Sequence, residues 1–252
     1  MEIITIDEHN IEKEHIGCAL SDTKDDNSMS LKKAWLKERF KDGLVFKRLN
    51  ARAKVLIEYI PASHAWTPID ADGYMHINCF WVSGQYKGKG YANILLEECI
   101  KDAKEKGMLG LTVIASKTKR PFLSDSKYLV YKGFKVADEA APFFTLYYLP
   151  FSSDALIPSF KECAKQQRIE ETEMVLYYTN QCPFAEKYAT LICHIAKEYG
   201  RKVVLHKIET TEQARNAPTP ITTYSFFYRG KLMTNEIFSE KKFIKFLQDN
   251  GI

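Results

Sequence analysis

The stretch CFWVSGQYKGKGYANILL, residues 79–96, limits what this chain can fold into more than any other. An apolar run of strand character ends at Val82, and a turn with two lysines and three glycines follows. An apolar stripe of helical period then starts at Tyr91. A strand that opens onto a helix through such a turn aims several unpaired backbone N–H groups at one point. The helix dipole adds partial positive charge there, and the missing side chains let a ligand approach closely. The stretch predicts a phosphate-binding site.

At 252 residues the chain is large for one hydrophobic core, which favours two domains. An apolar content of 45% with 27% charged residues belongs to a globular protein. The net charge of +4 is spread along the sequence and gives little reason to expect nucleic acid, whereas a small anionic molecule suffices. The first fifteen residues carry no basic segment followed by an apolar one, and no apolar run approaches the ~20 residues of a spanning helix. A cytoplasmic protein with no membrane partner is expected. Six cysteines at 18, 79, 99, 163, 182 and 193 form no CxxC pair and no zinc spacing with histidine, so free thiols and no metal site are expected.

Taken in order, the pattern predicts a strand at 3–6, helices at 10–20 and 31–40, strands at 44–49 and 52–60, and a loop at 61–73. The strand at 74–82 is apolar on both sides, as in the middle of a sheet, with Met75, Ile77, Cys79 and Trp81 expected on one face and His76, Asn78, Phe80 and Val82 on the other. A helix at 91–106, a strand at 109–115, a short helix reaching Tyr131, and strands at 134–136 and 143–149 complete the first part.

This order, with WVSGQYKGKGYANILL at its centre and YLVYKGF further on, resembles the GNAT superfamily of acetyl-CoA-dependent N-acyltransferases. The family's pyrophosphate motif falls on Lys87, Gly88, Lys89, Gly90, Tyr91 and Ala92. Lys87 stands where Arg or Gln is usual, keeping charge without the planar fork, and Gly84 replaces a frequent proline. The resemblance implies acetyl-CoA as cosubstrate, an amine acceptor, and a pantetheine arm lying along Phe80, Trp81 and Val82. A backbone N–H there would hold the thioester oxygen as charge builds. Glu58 and His76 are the candidate general bases, with a strand-end surface charge and a core histidine as their plain structural alternatives. The tyrosine that serves as general acid in family members has Leu129 at its position here, between Tyr128 and Tyr131; Tyr128 is the favoured acid, and both are otherwise packing aromatics. Trp66, Trp81 and Phe80 are candidate walls of the acceptor site.

The second part changes character. A connecting helix is expected at 155–169, then strand 174–178, helix 184–199, strand 202–208, hairpin strands 222–228 and 232–237, and a final helix 239–249. Strand-helix-strand followed by hairpin-helix is the outline of a thioredoxin-like domain. Cys182-Pro183 lies at a strand-to-helix turn, where the dipole favours a thiolate, and Thr219-Pro220 falls where that fold holds a cis-proline. Ala185 occupies the place of a second redox cysteine, and Cys193, about 16 Å further along the helix, is out of disulfide reach.

NQCPFAEKY and APTPITTYSFFYRGKL, together with the first-half segments, extend the resemblance to two-domain bacterial acetyltransferases of the YoaP type. The expected architecture is therefore α/β (α+β): a GNAT mixed sheet flanked by helices in residues 1–150, a linker at 151–172, and a smaller thioredoxin-like α/β domain at 173–252. The expected activity is direct acetyl transfer from acetyl-CoA to an amine. The alternative is a thiol-dependent redox or binding module that uses Cys182, with the GNAT domain as a CoA sensor.

Overall fold

The computed structural model describes residues 2–18 and 26–252. The first part runs β1 (Ile3–Ile6), α1 (Ser28–Phe40), β2 (Val45–Leu49), β3 (Val55–Pro61), β4 (Ile69–Asp70), β5 (Tyr74–Val82), α2 (Tyr91–Glu105), β6 (Gly110–Ser116), β7 (Ser124–Asp125), α3 (Ser126–Tyr131), β8 (Lys135–Ala140) and β9 (Phe144–Pro150). The second continues with β10 (Ser159–Phe160), α4 (Glu162–Gln166), β11 (Met174–Tyr178), α5 (Ala185–Glu198), β12 (Val203–Lys207), α6 (Thr211–Arg215), β13 (Tyr224–Tyr228), β14 (Lys231–Thr234) and α7 (Glu240–Asp249).

The large mixed sheet has the order β1-β2-β3-β5-β6-β9-β8, with β7 on β6. Its ladders are antiparallel except β5 with β6 and β6 with β7. The stripe of α2 predicted from its spacing, Leu95, Leu96, Cys99 and Ala103, packs on one face against Met75, Ile77, Leu111 and Val113. The other face packs Trp35 and Leu36 of α1 against Phe46, Leu56, Ile60 and Trp66. A second sheet of order β12-β11-β13-β14 pairs β11 parallel with β12 and antiparallel with β13. Its core gathers Ile192 of α5, Phe226 of β13 and Phe243 of α7. The two parts share apolar packing, because Ile208, Ala214 and Ala217 join the cluster around Trp35 and Trp66.

Four expectations are corrected. The helix expected at 10–20 is a set of turns over the described residues, with residues 19–20 and most of the loop 21–27 lying outside them. The Asp7 carboxylate accepts from the His9 and Asn10 amides, and Asn10 Oδ1 accepts from the Asp7 amide. Such local side-chain bonds compete with helix propagation. The connecting helix at 155–169 is reduced to β10 and α4, because Phe160 pairs with Ile69 and Gln167 ends the turn in a left-handed conformation at φ 47°.

The third concerns β5. Glu58 pairs with Cys79 and Tyr59 with Ile77, so Asn78 is an extra residue, a β-bulge. One added residue shifts the two-residue period. Phe80 and Val82 consequently pack in the same cluster as Met75 and Ile77, while Cys79 packs in the opposite one. The last is the cis-proline: Thr219-Pro220 is trans, and among the described residues the cis bond is Ala141-Pro142.

Candidate active site

The site begins where the two central strands part. β5 and β6 pair from Tyr74 with Gly110 to Ile77 with Val113, and β5 then runs on to Val82 bonded only to β3. β6 does not follow. One of its edges is held by β9 as far as Ala115, and β7 bonds Ala115 and Ser116 on the edge that β5 has left. The strand edge over residues 78–82 is thereby left facing a cleft, and backbone N–H groups along it have no ladder partner on that side. That cleft is continuous, with a volume of about 830 Å³, and it runs from the glycine turn past this edge to Glu58.

At the outer end, Gly88 and Gly90 hold φ of 73° and 83°, and a Cβ on either would meet nothing within 4 Å. Their requirement for glycine is thus one of backbone conformation. Gly90 is the residue before α2, and no side chain caps that helix. The first-turn amides point outward from a helix that supplies no internal acceptor for them. Lys87, in the turn itself, lines the cleft; so do Lys119 and Arg120, the latter with its guanidinium 3.7 Å from the Phe143 ring centre.

Deeper in, the bulge at Asn78 aims its amide at the sheet's buried carboxylate. Asn78 Nδ2 donates to Glu58 Oε1 at 3.0 Å, and Lys32 Nζ donates to Glu58 Oε2 at 2.5 Å. Lys32 and Glu58 side chains are only 2% and 1% exposed, and the ammonium lies 4.3 Å from the Trp35 ring centre. His76 is buried with Nδ1 3.0 Å from Thr112 Oγ1, and burial pushes its imidazole down to about 3. It is therefore neutral across ordinary pH. Tyr128 donates to Asn93 Oδ1 at 3.1 Å from the first turn of α2, and packs edge-on to Phe80 at 5.8 Å. Burial pushes its hydroxyl up to about 12. Asp125 accepts from the Lys127 and Tyr128 amides, capping α3 and fixing that tyrosine on the cleft. Tyr131, by contrast, is 80% exposed and does not line it.

The second part also reaches the cleft, through residues 181–184 and 220–223. Cys182 precedes α5 as the sequence predicts, but burial pushes its thiol up and outweighs the lowering by the Phe184 amide. The direction is opposite to the one expected at a helix N-terminus. Cys79, facing the same region, is pushed up by burial as well. Of the expected residues, Glu58, His76, Phe80, Trp81, Val82, Lys87, Gly88, Gly90, Tyr91, Ala92, Tyr128 and Cys182 all line one cleft. Lys89 is exposed on the turn and does not. Sequence reasoning missed Lys32, Asn78, Asn93, Lys119, Arg120 and Gln181. Lys119 and Arg120 carried a signal, a basic run after a buried strand. Lys32 carried none, since lysine on a short helix reads as solvated.

The model of the acetyltransferase (GNAT) family matches residues 10–120, and the YoaP-like model matches residues 204–245. The chain is 45% identical over 244 residues to the uncharacterised N-acetyltransferase YoaP of Bacillus subtilis (strain 168), covering 97% of each. Among solved structures it is similar to a GNAT acetyltransferase from Staphylococcus aureus Mu50, with TM-score 0.40, 17% identity, and 60% of this chain and 99% of that one covered. It is also similar to the PaiA N-acetyltransferase from Thermoplasma acidophilum in complex with coenzyme A, with TM-score 0.40, 16% identity, and 60% and 100% covered. With near-complete coverage at that identity to YoaP, this chain belongs to the YoaP family of GNAT N-acetyltransferases.

Proposed function

We propose that the protein transfers the acetyl group of acetyl-CoA directly to an amine, with every step carried inside the cleft described above. The observation that carries this reading is the continuity of one cleft from an uncapped, lysine-flanked helix N-terminus, past an unpaired strand edge, to a buried carboxylate. The turn from Lys87 to Ala92 would hold the pyrophosphate. The pantetheine arm would lie along Phe80, Trp81 and Val82.

In this reading the neutral amine attacks the thioester carbonyl carbon and forms the C–N bond. A backbone N–H of the free β5 edge stabilises the oxyanion. The C–S bond then breaks with its electron pair leaving on sulfur. Tyr128, kept protonated by burial, faces that sulfur as the general acid. The proton lost by nitrogen goes to Glu58, and we favour Glu58 over His76 because an imidazole with a value of about 3 holds a proton poorly at neutral pH. We assign residues 1–150 to the acetyltransferase domain, 151–172 to a linker and 173–252 to the second domain, and we read that second domain as thioredoxin-like in outline. Its raised Cys182 and the alanine at 185 speak against dithiol redox chemistry.

Calorimetry with acetyl-CoA tests the core of the proposal. Saturable binding that is competed by CoA is expected; no binding at millimolar ligand rejects it.

A further inference from the structure

Resting on the acetyltransferase reading above, we infer that the acceptor amine also carries a carboxylate, which the Arg120 guanidinium binds at the mouth of the cleft, on the face of the sheet opposite α2. The two-residue period of β6 tells the faces apart. Leu111, Val113 and Ala115 pack in the cluster of the α2 stripe, whereas Ile114 packs in a different one with Leu146 and Tyr148. Phe143, Leu123 and Ile221 join that second cluster. The Arg120 guanidinium lies 3.7 Å from the Phe143 ring centre, so it belongs to the second face. The cleft reaches this face too, since Ile114, Leu123 and Ile221 line it together with Arg120, and Arg120 is exposed where it does so. In the acetyltransferase reading the phosphates are held at the α2 N-terminus, on the first face. Arg120 is therefore a second anion-attracting place in the same cleft.

The stack selects the chemistry of what binds there. Contact with a ring occupies the flat of a guanidinium and leaves its N–H donors pointing outward in the plane. Among the described residues no carboxylate or carbonyl accepts from Arg120, and the stack on Phe143 is the one side-chain interaction it makes. Phe143 is itself held against Phe144, with ring centres 4.4 Å apart. Nearby cations differ in this respect, because Lys117 is paired with Glu139 and Lys32 with Glu58. A planar fork held in one orientation matches the two coplanar oxygens of a carboxylate in a bidentate pair. The loop that carries Arg120 is closed at its base by the pairing of Ala115 with Ser124 and of Ser116 with Asp125. Asp125 in turn caps α3, which carries Tyr128. The carboxylate contact and the tyrosine assigned to the departing sulfur thus share one frame, which would orient the acceptor toward the thioester. Between them, Ile114, Leu123 and Ile221 offer apolar surface to the body of the acceptor.

The test uses the full chain and pairs of amines that differ by one carboxylate: leucine with isopentylamine, phenylalanine with 2-phenylethylamine, and β-alanine with ethylamine. O-phosphoethanolamine is added to separate a phosphate from a carboxylate. CoA release is measured for each, and acetyl-CoA affinity and its stabilisation of the melting temperature are followed in the same samples. In at least one pair, kcat/KM for the carboxylate member is expected to exceed that of its twin by about tenfold or more. Arg120→Met should raise KM for that substrate about 30-fold, with KM for its twin and the affinity for acetyl-CoA unchanged. Arg120→Lys keeps the charge without the fork and should recover only part of the loss. Equal turnover within every pair, a preference for O-phosphoethanolamine over all of them, or no release with any amine overturns this inference. So does an Arg120→Met variant that loses acetyl-CoA affinity while KM for the amine stays the same. The pairs decide the matter without any variant, should one fold poorly. If acetyl-CoA still stabilises the protein in those cases, acetyl-CoA binding stands; if it does not, the acetyltransferase reading falls as well.

Discussion

The two ends of the cleft are built in opposite ways. The outer end is one contiguous turn, residues 84–92, whose working groups are main-chain amides and the absence of side chains. The inner end brings together Lys32 from α1, Glu58 from β3, Asn78 from a bulge and Gln181 from the second part, all through their side chains. A site made of backbone tolerates changes to nearby side chains but not to its glycines. One made of distant side chains depends on each partner remaining paired in a place water scarcely reaches.

The largest effect is expected at the outer end. In Gly90→Asp the new carboxylate would sit on the first-turn amides that a phosphate needs, and φ of 83° adds strain of about 1–2 kcal/mol. Affinity for acetyl-CoA should fall roughly 1000-fold by calorimetry. Near-normal binding would move the phosphate site elsewhere in the molecule.

Next in size is Glu58→Ala, which strands the buried Lys32 ammonium. Loss of about 3 kcal/mol of stability in urea unfolding is expected, together with loss of turnover. The double variant Lys32→Met with Glu58→Gln should recover most of the stability. Recovery of turnover along with stability would reduce Glu58 from base to structural partner, whereas stability without turnover sharpens its catalytic assignment.

The smallest of the three is Tyr128→Phe, where kcat should drop about 100-fold with KM for acetyl-CoA unchanged. Because burial raises this hydroxyl to about 12, the folded protein keeps the proton where an unfolded chain would release it, near 10. Activity that depends on the protonated form is therefore retained past pH 10 until the pH nears 12, whereas the stability tied to this group is full below about 10 and declines toward 12. An alkaline loss of kcat near neutrality that disappears in the Phe variant would refute the raised value.

Much of the fold could be read from the sequence where pattern and local chemistry agreed. The α2 stripe, β5 over residues 74–82, and β11 over 174–178 lie where periodicity put them. The failures came where long-range pairing or local capping overruled pattern. Asp7 and Asn10 diverted the chain from a helix, Phe160 was drawn into pairing with Ile69, and one extra residue at Asn78 reversed the faces of the strand after it.

By itself, then, the sequence determined the glycine turn between a buried strand and an amphipathic helix, because the glycines and main-chain amides of an anion cradle lie within nine consecutive residues. Tertiary structure alone decided which side chains line the inner end of the cleft and in what state. Whether Lys32 is solvated or locked on Glu58, whether Tyr128 or Tyr131 meets the cleft, and whether Cys182 is activated or silenced all depend on burial and on partners far away in the chain. Desolvation and pairing are properties of the packed molecule, so no local spacing encodes them.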